Sequence, residues 1–283
     1  MSLFLSSPKL QSPRFEAAAA AAAATAARAR RAVFPRVALT ALTLGASAGW
    51  FGIAFPADKP SAEDLLKSAD RARGGIAEGL TWTVKVDSVE DGTRTDRTYR
   101  VRAKDLNAVA VCEAPARLKG ETLLFNDRTL WFFKPGLKKP VPISARQRLS
   151  GQAANGDIAS TNYARDYEGT IVGEEDVGGR KAWKLELKAR NKNVTYDQIR
   201  YWVDKEKLVG VKADFLTLKG EAFKTATFEY ENTLKNVGKT FPFVSKMIIV
   251  DTVTTGNTTT ITYTKPAPEA HADSLFNVNN LAR

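Results

Sequence analysis

The residues able to do acid–base chemistry cluster in one irregular stretch. Asp157, Asp166 and Glu168 lie close along the chain to Tyr163 and Arg165. Paired carboxylates of this kind can serve as general acid and base, but the same residues fit a solvated segment held by local ion pairs, which is the reading taken here. Glu174, Glu175 and Asp176 precede Gly178-Gly179 and read as a charged hairpin end. The chain has one cysteine, Cys112, and one histidine, His271. A single Cys makes no internal disulfide, and the two together are too few for a metal site. Cys112 follows Val109-Ala110-Val111 and reads as a small apolar residue in a strand. His271 sits in a polar, Pro/Ala-rich stretch and reads as a solvated loop residue. The expectation is a protein that is not an enzyme and needs no cofactor and no metal. Arg100, Arg102 and Asp157 are the candidates for holding a polar head group or latching a lid.

Binding chemistry is better represented, because a period of two runs through most of the chain. Leu80, Trp82, Val84 and Val86 alternate with polar residues, then Asp91-Gly92 marks a hairpin, then Tyr99, Val101 and Ala103 alternate with Arg100 and Arg102. Trp183, Leu185 and Leu187 repeat the pattern, as do Ile199, Tyr201 and Val203. Further strands are expected at 107–113, 121–125, 129–133, 208–215, 225–230, 243–250 and 259–264. Serial short strands with tight turns describe an antiparallel meander, and a sheet of so many strands must curl. The fold class is therefore mainly β (α+β). Periodicity leaves barrel, half-barrel and sandwich open. Trp82, Val84, Tyr99, Val101, Trp131, Phe133, Trp183, Leu185 and Tyr201 are the candidate walls of an apolar cavity. Each of them equally suits an ordinary closed core.

Two segments break the alternation. Ser61 can cap a helix, with Asp64 three residues on, and Leu65, Leu66, Ala69, Ala72 and Ile76 follow at helical spacing until Gly79. Residues 135–168 contain Pro135, Pro140 and Pro142 and show no alternation. A stretch of that length inside a β domain is usually functional, and it is read as a helical or loop lid carrying Ile143, Leu149, Ile158, Tyr163 and Tyr167. Short helices are expected at 145–149 and 157–167.

Residues 1–57 differ in composition from the rest. An alanine run is followed by Arg28, Arg30 and Arg31, then an apolar stretch from Val37 to Ala57 ending in small residues. This is the pattern of a secretory signal, and the residues ahead of it are also readable as an over-extended gene start. The alternative is an uncleaved anchor at 37–57, in the inner membrane. The expected domain is then 58–283, in the periplasm. Of the net charge of +11, the six basic residues and one acid before Asp58 account for +5, the rest of the chain carries a mild +6, and no Lys/Arg cluster interleaved with aromatics follows. Nucleic-acid binding is therefore not expected. Hydrophobic residues at 43% and charged residues at 26% suit an ordinary globular core.

Several motifs, taken in order, resemble a known family. Leu130-Trp131-Phe132-Phe133-Lys134-Pro135 leads to Leu149-Ser150-Gly151, then Asn155-Gly156-Asp157-Ile158-Ala159, and later Tyr201-Trp202-Val203-Asp204 and Asp273-Ser274-Leu275-Phe276. This series is similar to outer-membrane lipoprotein-sorting proteins of the LolA-like superfamily. The resemblance implies a curled sheet forming a half-open β-barrel around an N-terminal helix, closed by a lid. It also implies a monomeric carrier that binds lipid or lipoprotein acyl chains and moves them toward the outer membrane, between membrane-associated donor and acceptor proteins. A sensor of similar fold that binds a protein partner is the alternative.

Overall fold

Ser61 starts the first helix as its spacing predicts. A computed structural model of the chain describes residues 59–159, 162–236 and 238–282. In it α1 runs Ala62–Arg71, and the Ser61 hydroxyl accepts the Asp64 amide at 3.1 Å while donating to the Asp64 carboxylate at 2.6 Å. Leu65, Leu66 and Ala69 share its buried face. The helix stops eight residues before Gly79, because Gly74 takes a positive φ of 96° and turns the chain. Ala72 and Ile76 are buried all the same.

The alternating segments become strands in chain order: β1 (Leu80–Glu90), β2 (Thr93–Lys104), β3 (Asn107–Ala114), β4 (Thr122–Asn126), β5 (Thr129–Phe133) and β6 (Val141–Ile143). A strap follows, holding β7 (Arg148–Ser150), β8 (Ala153–Ala154) and the short α2 (Tyr163–Asp166). Then come β9 (Tyr167–Val177), β10 (Arg180–Ala189), β11 (Gln198–Asp204), β12 (Gly210–Leu216), β13 (Ala222–Glu229), β14 (Asn232–Asn236), β15 (Lys239–Phe243), β16 (Lys246–Asp251) and β17 (Thr258–Pro268).

Thirteen of these form one antiparallel sheet, ordered β6-β5-β4-β3-β2-β1-β17-β16-β13-β12-β11-β10-β9. The pairs β7–β8 and β14–β15 are separate two-stranded ribbons. The β1–β17 pairing joins the two halves of the meander, so the ends of the domain meet in mid-sheet. The sheet curls without closing, and β6 and β9 are its two edges. It is the half-open barrel that the resemblance implies.

One face is a continuous apolar core. Register places Trp82 opposite Val101 and Val84 opposite Tyr99, and all four are at most 2% exposed. α1 and the ribbon β14–β15 contribute Leu65, Leu234 and Phe243 to the same cluster. The outer face is not bare. Val109 and Leu124 meet Phe276 of the C-terminal turn. Ala182, Trp202, Val209 and Val211 form a second patch, capped by Lys212 at 4.3 Å over the Trp202 ring.

Several expectations are corrected. Residues 145–149 form no helix, and Leu149 lies on the β7–β8 ribbon. Only Tyr163–Asp166 of the 157–167 stretch is α-helical, with a 3-10 turn at Asn155–Asp157. Tyr167 opens β9, an eleven-residue strand that was read as lid and charged turn. His271 is only 9% exposed, with Nε2 3.2 Å from both the Thr81 hydroxyl and the Leu80 carbonyl. The expected signal segment, 1–57, lies outside the described residues. Among the described residues no helix is long and apolar enough to cross a membrane.

Gly210 shows how tightly the core is filled. A Cβ there would collide with the Tyr201 hydroxyl and ring, at a bulge in the β11–β12 ladder. Gly210→Ala is expected to lower stability by about 1–3 kcal/mol in urea unfolding. A change within error would contradict this packing.

Candidate ligand-binding clefts

The residues expected to line a cavity mostly fill the core instead. Trp82, Val84, Val101, Leu185 and Tyr201 are 0% exposed, and Trp183 is 9% exposed under Lys205, whose Nζ sits 4.0 Å above the indole. Trp131 points the other way, packing on the outer cluster of Val109, Leu124 and Phe276. Phe133 shares its parity along β5 and is half-buried. The reason is register: β4–β5 pairing sets Leu124 opposite Trp131, and Phe125 opposite Leu130. The inward residues of β5 are thus Leu130 and Phe132.

Hollow space lies where the strap crosses the short strands. One cleft of about 510 Å³ has Phe125, Leu130, Ile143, Tyr163, Tyr167 and Val194 on its walls, with Arg73 and Asp157 among the polar groups. A second of about 510 Å³ is lined by Tyr99, Leu123, Phe132, Ile143 and Leu149, with Arg97, Glu121 and Arg148. Ile143 at the end of β6 and Gln147 at the start of the strap touch both clefts, so the chain between them separates the two. Both volumes suit a small-molecule site. Of the lid residues named from sequence, Ile143, Leu149, Tyr163 and Tyr167 line clefts, while Ile158 is wholly buried. Leu123, Phe125, Leu130, Phe132, Val194 and Arg73 were missed. The two-residue Asp127-Arg128 turn would have given the right phase for the first four, which lie on β4 and β5.

Polar contacts pin the strap to the sheet. The Ser150 hydroxyl lies 3.2 Å from Ser88 and 3.1 Å from Thr95, and the Gln152 amide donates to Thr259 Oγ1 at 2.7 Å. Lys224 Nζ donates to the Gln152 carbonyl at 2.7 Å. Arg146 forks onto Asp197, its Nη2 at 2.6 Å, and its Nε donates to the Val194 carbonyl at 3.0 Å. This pairing raises the Arg146 pKa and lowers that of Asp197. Asp157 accepts from the Ala154 amide at 2.8 Å and the Tyr196 hydroxyl at 2.9 Å. It is buried, and burial raises its pKa.

The expected trio of Arg100, Arg102 and Asp157 is not assembled. Arg100 and Arg102 alternate with the buried Tyr99 and Val101, so they face outward, and Arg100 Nε approaches Glu113 at 3.4 Å. Asp157 belongs to the interior. α2 is bridged to the β4–β5 turn by Arg165, 2.7 Å from Asp166 and 3.3 Å from Asp127, and by Arg128, 3.9 Å from Asp166. Asp157 and Asp166 thus hold different partners, rather than facing a common substrate position. Among the described residues no group of three or more Cys, His, Asp or Glu could hold a metal.

α2 is also held from behind. Asp70, at the end of α1, accepts the Ala164 amide at 2.9 Å. Burial raises its pKa from 3.8 to about 6, against the lowering effect of the Ala164 and Tyr163 amides and of Arg73.

Known structures share this architecture. A LolA superfamily protein from Nitrosomonas europaea is 28% identical, with TM-score 0.69 over 78% of this chain and 99% of that one. A family model described as an uncharacterized protein matches residues 104–283. The chain belongs to that family, within the LolA-like superfamily. Two more distant structures show the same fold. One is an outer membrane lipoprotein-sorting protein domain from Vibrio parahaemolyticus, 22% identical with TM-score 0.66, covering 79% of this chain and 100% of that one. The other is a DUF1329 family protein from Desulfovibrio piger, 20% identical with TM-score 0.65, covering 78% and 97%. No curated protein sequence matches the LolA-like chain.

Asp70 makes the stability of this LolA-like domain depend on pH. The unfolded carboxyl ionises near 3.8 and the folded one near 6, so the unfolded state loses its proton first as pH rises. The resulting penalty is absent below pH 3.8, grows between the two values and is complete above 6, at about 3 kcal/mol. Asp70→Asn is expected to flatten that decline when urea unfolding is compared at pH 4, 5, 6 and 7. An unchanged difference between pH 4 and 7 would contradict the assignment.

Proposed function

We propose that this protein is a periplasmic carrier that shelters lipid or lipoprotein acyl chains in the clefts beneath its strap. The observation that carries the reading is the pair of clefts, each about 510 Å³, beside an otherwise filled core. Their inner walls supply Phe125, Leu130 and Ile143 on one side, and Leu123, Phe132 and Leu149 on the other. Burying a methylene contributes about 0.8 kcal/mol. Half a dozen methylenes then give about 5 kcal/mol, a preference of several thousand-fold over water.

The LolA-like fold supports carriage, and the sorting role named for the Vibrio domain agrees with it. The polar groups of the strap support binding over catalysis, because Asp157 and Arg165 are engaged in holding the strap shut. The secretory pattern read in residues 1–57 supports the periplasm as its compartment. Transfer between membrane-associated donor and acceptor proteins would run down a gradient of affinity, as a monomer without a cofactor.

Native mass spectrometry with lipid extraction, on protein taken from its own envelope fraction, tests the reading. About one lipid per chain is expected. A protein that is reproducibly empty and takes up no added lipid would refute it. A stoichiometric protein partner without lipid would favour the sensor alternative.

A further inference from the structure

Arg73 is a buried cation without a direct counter-charge. It lies two residues beyond α1 and is 5% exposed. Its Nη2 reaches only the Met247 sulfur, at 3.8 Å, and its Nη1 has no hydrogen-bond partner. Aromatic faces surround it, with the Phe228 ring centroid 4.6 Å and the Tyr163 centroid 5.6 Å from the guanidinium carbon. The ion pairs among the described residues do not include it. Asp70 and Asp157 are electrostatically close but form no ion pair with it: one Asp70 oxygen is taken by Ala164 and the other is buried without a partner, while Asp157 accepts from Ala154 and Tyr196. Two further hydroxyls, of Tyr201 and Tyr230, are buried unpaired and within electrostatic reach of the guanidinium.

This arrangement is costly for a fold to keep. A guanidinium does not shed its proton, and a buried charge without a partner is destabilising by several kcal/mol. An apolar side chain of the same length would fill the space at less cost. The position also matters: Arg73 and Tyr163 are both on the walls of the first cleft, whose other side is Phe125, Leu130 and Ile143. The remaining arginine of that cleft with a strong contact, Arg165, is already matched by Asp166 and Asp127. Arg73 is therefore a buried positive charge without an ion pair, on a cleft whose apolar wall is Phe125, Leu130 and Ile143.

We propose that Arg73 anchors a monoanionic head group, a carboxylate or a phosphodiester, of an amphiphile whose chain lies along Phe125, Leu130 and Ile143. The proposal rests on the carrier reading and adds to it the charge of the cargo. A head-group oxygen accepts from Nη1, which supplies its missing acceptor. Asp70 limits the site to a single negative charge, since a dianion would face its carboxylate at close range. A free anion would meet the same donor but would leave the apolar wall in water.

The test measures binding of defined probes to the full chain by titration calorimetry, below the critical concentration of each lipid. Oleate supplies a carboxylate, dihexanoyl phosphatidylglycerol a phosphodiester, and monoolein a neutral head. Acetate and inorganic phosphate supply charge without a chain. The wild type is expected to prefer oleate to monoolein by at least about ten-fold, and to bind acetate and phosphate far more weakly than any lipid. Arg73→Met is expected to abolish the preference while keeping monoolein affinity, with a melting temperature no lower than wild type. Arg73→Lys should keep part of it. Comparing oleate with the phosphatidylglycerol tells which anion fits. Equal wild-type affinity for oleate and monoolein overturns the anchor and leaves the carrier reading standing. So does an Arg73→Met protein that keeps the preference. Phosphate binding as tight as lipid binding makes this a free-anion site and also overturns it. If no amphiphile binds, carriage and anchor fall together.

Discussion

A curled sheet with one apolar face cannot leave that face in water, and the rest of the molecule answers to this constraint. Thirteen strands that do not close into a ring need cover from elsewhere on the chain. Leu65, Leu66 and Ala69 of α1 supply it at one place, Leu234 and Phe243 of the β14–β15 ribbon at another. Where these large side chains meet the long strands, the interior is filled. Where the strands shorten, at β4, β5 and β6, cover comes from a strap whose backbone is irregular. Irregular backbone packs less evenly than a helix, and the clefts are found on either side of it.

The strap in turn depends on polar pins, because it has few apolar side chains to bury. Ile158 and Leu149 go inward, but much of the attachment is by hydroxyls and charged groups: Ser150 among Ser88 and Thr95, Gln152 on Thr259, Asp157 between Ala154 and Tyr196, and Arg146 on Asp197. Such bonds each contribute only about 1 kcal/mol net, yet leaving a buried partner unpaired costs more. An element held this way stays in register with the sheet. Asp70 couples the two layers, since the carboxyl that holds α2 also sits beside the buried Arg73.

Most of the strands and the curl, though not the β1–β17 pairing, were legible in the sequence because alternation reports which residues face inward. Alternation does not report what they meet there. Trp82, Val84, Val101, Leu185 and Tyr201 carry the pattern and lie in solid packing, so the same signal marks a core and a cavity wall. Trp131 misled for a related reason: an aromatic residue suggests the inner face, but the outer face here is also apolar, under Phe276. β9 was missed because an edge strand packs few side chains. In it only Tyr167 is fully buried, and its Glu and Asp residues are those an exposed edge carries. Arg73 gave no sequence signal. It follows a helix whose apolar spacing runs past it, and its burial is decided by Phe228 and Met247, far along the chain.

The central claim is that the core is closed and that ligand space lies beneath the strap. A crystal structure of the chain with bound oleate tests this most directly. The account predicts density for the hydrocarbon beside Phe125, Leu130 and Ile143, with Trp82, Leu185 and Tyr201 in their present places. A chain threaded between those core residues, with the sheet opened to admit it, would contradict the account.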